Sequence, residues 1–84
     1  MSLKEEIRNL IETTIEEMGY KIQRIEIGRE RGKRTVTVFI DKEEDRIGIN
    51  DCVKVSRAID PILEKADLIK EEWILIVSSP GKNV

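Results

Sequence analysis

The sequence predicts an α+β two-layer sandwich: a three-stranded sheet with two helices on one face, in the order helix, strand, strand, helix, strand. Three observations predict it. Residues 2–19 repeat apolar side chains at helical spacing. Residues 34–42 place Val36, Val38 and Ile40 at every second position, at strand spacing. The run WILIV at 73–77 is unbroken by any polar residue, so both its faces call for cover.

The first element is SLKEEIRNLIETTIEEMG. Leu3, Ile7, Leu10, Ile11, Thr14, Ile15 and Met18 fall on one helical face. Ser2 with Glu5 three residues on matches a capping box, and Glu5 and Glu6 suit the positive end of the helix dipole. Gly19 is placed to end the helix. In YKIQRIEIGRE, Tyr20 and Ile22 share one parity, Ile25 and Ile27 the other. A β-bulge near Gln23-Arg24 would absorb the slip. RTVTVFIDK then puts Val36, Val38 and Ile40 on one face and Thr35, Thr37 and Phe39 on the other. Gly28 and Gly32 bracket the connection of an antiparallel hairpin.

A polar loop, DKEEDRIGIN, leads to a second helix capped by Asn50 or Asp51, with Cys52, Val55, Ser56, Ile59 and Leu63 inward. Pro61 is unsuited to a helix interior, so the helix either kinks there or restarts with Asp60 as cap. KADLIKEE reads as a loop and WILIVS as the last strand, which pairing alone can place beside either hairpin strand. One face of the sheet is left open, carrying Phe39 and alternate residues of WILIV, and Phe39 is a candidate interface residue.

Eighty-four residues make one small domain. A single cysteine excludes an internal disulfide and fits a reducing, cytoplasmic setting. No apolar run approaches the roughly 20 residues of a membrane helix, so no membrane partner is expected. Lys+Arg number 15 against Asp+Glu 17, so any nucleic-acid contact must come from local clustering. With no histidine and one cysteine, a zinc site of the usual ligands cannot be assembled. No cofactor or small-molecule substrate is expected.

Catalytic readings are thin. Ser78-Ser79 has no histidine to activate it, though a lysine could serve, and G-x-S-x-G is absent. PGK lacks the rest of a P-loop. Carboxylates at 41, 43 and 45 lack the glycine and glutamate that a calcium loop needs. Cys52 reads as a small core hydrophobe, with a reactive thiol as the alternative. The basic stretch is GRERGKR: Arg29, Arg31, Lys33 and Arg34 crowd the hairpin with only Glu30 opposing them in sequence. They are either an edge-protecting surface or an RNA-binding site.

Two stretches, IDKEEDRIGINDCVKVSRAIDPIL and WILIVSSPG, resemble the N-terminal domain of the ribosome maturation factor RimP family. Asp41, Gly48, Asp51-Cys52, Val55-Ser56-Arg57 and Val77-Ser78-Ser79-Pro80-Gly81 fall in the family's order, and MGYKIQRIEI resembles its G-Y strand start. Asn50 stands where the family often has aspartate. The resemblance spans residues 1–81. It implies that Lys82-Asn83-Val84 begin a linker toward an SH3-like C-terminal domain, the chain being a fragment or a short form. It also implies a non-enzymatic factor that binds the immature small ribosomal subunit, touching rRNA and ribosomal protein, and promotes its maturation. The alternatives are a protein–protein module that uses the open sheet face without RNA contact, and an enzyme using Cys52 or the serine pair.

Overall fold

The computed structural model describes residues 2–42 and 47–79. The elements are α1 (Leu3–Glu17), β1 (Lys21–Glu30), β2 (Lys33–Asp41), α2 (Ile49–Ala66) and β3 (Trp73–Ser78), in the expected order. The strands form one mixed sheet, β1-β2-β3. β1 and β2 pair antiparallel, and β3 lies parallel to β2, which settles the placement that sequence left open.

In α1, Ser2 Oγ accepts the Glu5 N–H at 3.2 Å, which satisfies one of the free donors at the helix start. At the other end Gly19 takes φ +95, a conformation other residues resist. Ile7, Ile11 and Ile15 are fully buried, whereas Leu10, expected with them, lies at the rim and is 38% exposed. The register of β1 shifts between Ile22 and Arg24, the bulge that the parity slip required. Gly28 does not bracket the connection: β1 runs on to Glu30, and only Arg31 and Gly32 turn the chain. Both have positive φ, 54 and 81, as a two-residue hairpin matched to strand twist demands.

Two details of α2 depart from the sequence reading. The N-cap is Gly48, not Asn50 or Asp51. Asp51 sits three residues inside and reaches back to accept the Gly48 N–H at 2.9 Å. A carboxylate serves the helix start from either place, which is why the residue type did not fix the boundary. Nor does the helix restart at Asp60: it continues through Pro61 to Ala66, two residues into the segment read as loop, and closes on Asp67 at φ 53. Pro61 is on the exposed side. Packing of Val55, Ile59 and Leu63 on both sides of it outweighs the lost backbone bond.

The core lies between the helices and one sheet face. Ile22, Ile25, Val36, Val38 and Ile40 meet Ile7, Ile11, Ile15, Val55, Ile59 and Leu63, with Trp73, Leu75 and Val77 packed at its side. α1 covers β1 and α2 covers β3.

Candidate functional site

Among the described residues no helix lies on the opposite sheet face. The strand registers place Arg24, Glu26, Thr37, Phe39, Ile74 and Ile76 there. Ile74 is 42% exposed and Ile76 38%. Phe39 is half-buried, with the Arg24 guanidinium 4.0 Å above its ring and Arg24 Nε bonded to Glu26 at 2.8 Å. The expected open face is therefore present. Its polar half lies over β1 and its apolar half over β3.

A second feature lies at the carboxyl ends of the parallel pair β2 and β3, where open sheets commonly bind ligands. Between the first half of α2 and the end of β3 runs a groove of about 650 Å³. Gly48, Ile49, Cys52, Val53, Ser56 and Arg57 form one wall, and Val77, Ser78 and Ser79 the other. Ile49 is 82% exposed beside it and Val53 42%. Among the described residues the groove wall is mainly apolar, with hydroxyls and a single cation, Arg57.

Gly48, Cys52, Ser56 and Arg57 from one quoted stretch and Ser78 and Ser79 from the other, separated in sequence by more than a helix, come together on this groove. Asp51 stands behind it as its anchor. Its carboxylate holds the Gly48 N–H and also accepts a hydrogen bond from the Tyr20 hydroxyl, which ties the groove's helix to the start of β1. That bond, with burial and the nearby negative charge, pushes the Tyr20 phenol up to about 12. The same phenol, followed by the Gly48 N–H, holds the Asp51 carboxyl below its usual range. Asp41 ends β2, where its side chain accepts the Lys42 N–H at 2.8 Å. Pro80 and Gly81, and residues 43–46 of the acidic loop, lie outside the described residues.

A family model for the RimP N-terminal domain matches residues 10–83. The chain belongs to the RimP N-terminal domain family. RimP membership supports a general role in ribosome assembly, and RimP domains are non-enzymatic adaptors. Burial pushes the Cys52 thiol up and neighbouring Asp51 adds to this, the opposite of what a reactive thiolate requires. Ser78 Oγ donates to the Ser79 carbonyl at 3.3 Å. Among the described residues no cluster of carboxylates and cysteine is arranged to hold a metal.

The basic hairpin has a setting that its own sequence did not show. Glu71, in the segment before β3, pairs with Arg29 at 3.1 Å and with Arg34 at 3.2 Å, and Glu72 lies 3.7 Å from Lys33. Both guanidiniums hold the Glu71 carboxyl below its usual range, Arg34 most strongly. The parallel pairing of β2 with β3 brings these carboxylates beside the hairpin. Arg31 stands exposed at the turn. The signal available in sequence was the pair Glu71-Glu72 directly before a strand start. It could be used only once that strand was placed next to β2.

Proposed function

We propose that this domain docks on the immature small ribosomal subunit through the groove between α2 and the end of β3, and so takes part in the subunit's maturation in the cytoplasm. The observation that carries the reading is the convergence of the two separated motif stretches on that one groove. Its wall, which among the described residues is apolar with hydroxyls and one arginine, suits a protein surface better than a phosphate backbone, which calls for several cations. The hairpin carries the rRNA contact. Four cations there are offset by Glu30, Glu71 and Glu72, so its phosphate attraction is weak. Phe39 and the open face border the docked partner.

A photo-crosslinker at position 53 tests the reading directly. Incubated with immature subunits, it should yield a crosslink to a subunit protein, and one placed at position 31 should yield crosslinks to rRNA. Crosslinks from position 31 with none from position 53 would remove the groove from the docking site.

A further inference from the structure

The two layers of this domain differ in width. Packed helices lie about 8–10 Å apart and each is about 10 Å across, so the pair α1 and α2 spans about 20 Å. Three strands at about 4.8 Å spacing span only about 14 Å. By these spacings the helix layer is wider by about 6 Å, and on the β3 side a groove opens between the first half of α2 and the end of the strand. β1 and β3 are the sheet's edges, and they are built differently. β1 carries a bulge and the charged residues Lys21, Arg24, Glu26, Arg29 and Glu30, the usual devices against edge pairing. β3 reads WILIVS, with none of them.

Among the described residues the backbone of that edge is also unpaired. The Arg34 N–H bonds to the Glu72 carbonyl at 3.3 Å. In a parallel ladder alternate residues face the same neighbour, so Ile74 and Ile76 turn their amides toward β2, and Trp73, Leu75 and Val77 turn theirs outward. Among the described residues those outward groups have no backbone partner.

We propose that the β3 edge receives an extended segment of a subunit protein as a fourth strand, a mode in which main-chain bonds supply affinity and alternate pockets supply specificity. The inference rests on the docking reading above and names the form of the partner. Charge marks out the chemistry of the segment. Arg57 stands at the groove end of β3, and Glu72, 82% exposed, at the other. Between them lie six residues, about 20 Å of strand. The segment that fits carries an acidic group near Arg57 and a basic residue near Glu72. Apolar residues at alternate positions face Val53 and Cys52 on one side and extend the Ile74–Ile76 surface on the other. A second copy of this chain offers the same charges in antiparallel order, but α2 lies over β3, so symmetric pairing of two β3 edges would bring two α2 helices closer than the about 8–10 Å at which helices pack.

Hydrogen exchange of the full chain, read residue by residue with and without immature small subunits, tests this. The amides of Trp73, Leu75 and Val77 should slow by about tenfold or more on binding. Ile76→Lys, and separately Ile74→Lys, should weaken subunit binding by about tenfold while melting as the parent does, because both side chains lie on the open face. Binding without slowing at those amides would overturn strand addition and leave groove docking standing. Failure of the parent chain to bind would overturn both. Slowing that follows the concentration of this chain alone, or that protein-free rRNA reproduces, would show the occupant to be wrong.

Discussion

Replacing Asp51 with asparagine tests the link between the start of β1 and the groove helix. In the parent chain the Tyr20 hydroxyl donates to the Asp51 carboxylate, and the phenol is pushed from 10.0 up to about 12, with that hydrogen bond as the largest cause. The Asp51→Asn side chain keeps a carbonyl acceptor but loses the charge, so the phenol should titrate closer to 10. The chain has one tyrosine, so phenolate absorbance during an alkaline titration reports Tyr20 alone. The raised pKa also links to stability. Its contribution is complete below pH 10, the unfolded value, and is lost as pH rises through the folded value near 12. Asp51 has the opposite sign. Its lowered pKa stabilises the fold above the usual carboxyl range and is lost as pH falls through the folded value. Tyr20→Phe removes the bond but leaves Asp51 its Gly48 partner. It should cost about 1 kcal/mol, or about 4–8 °C in Tm for a domain of this size. The reasoning is refuted if the folded parent releases the phenol proton near pH 10, or if Asp51→Asn leaves its midpoint unchanged. Circular dichroism followed through the titration identifies the folded range.

Glu71→Gln should release Arg29 and Arg34 and steepen the salt dependence of subunit binding, by up to about 0.9 in logarithmic slope per phosphate gained; an unchanged slope would mean that the hairpin meets no rRNA. Pro61→Ala should raise unfolding stability by about 1–2 kcal/mol in a urea titration, since it restores a helix-interior N–H; a loss would show that packing of the ring holds α2. Cys52 should react with iodoacetamide at neutral pH more slowly in the folded chain than in urea, and equal rates would contradict the raised thiol pKa.

The elements were legible because their periods are strong. Ile7, Ile11 and Ile15 mark one helical stripe and Val36, Val38 and Ile40 one strand face, and all six are fully buried. Even the bulge at Gln23 showed, because a change of parity has few other structural remedies. Boundaries were harder to read. Gly48, Asn50 and Asp51 all suit a helix start, and only the direction of the Asp51 side chain distinguishes them. Pro61 signalled a break that the buried stripe on either side of it overrode. The site residues were present as motifs, but their assembly into a groove depends on β3 lying parallel to β2, which no local pattern encodes. The same placement brings Glu71 and Glu72 beside the basic hairpin, so the sequence showed a bare positive cluster where the fold holds a nearly balanced one.

The most direct measurement is a set of binding titrations of immature small subunits with three chains: the parent, a groove variant carrying Val53→Asp and Arg57→Glu, and a hairpin variant with Arg29, Arg31, Lys33 and Arg34 neutralised. Both groove positions are exposed, so the variant should melt close to the parent. Docking through the groove predicts a loss of about 30-fold or more for the groove variant, the size expected when an arginine and an apolar contact at the centre of an interface are inverted. It predicts a smaller, salt-dependent loss for the hairpin variant. Parent-like affinity in a folded groove variant, with binding abolished by the hairpin variant, would contradict it.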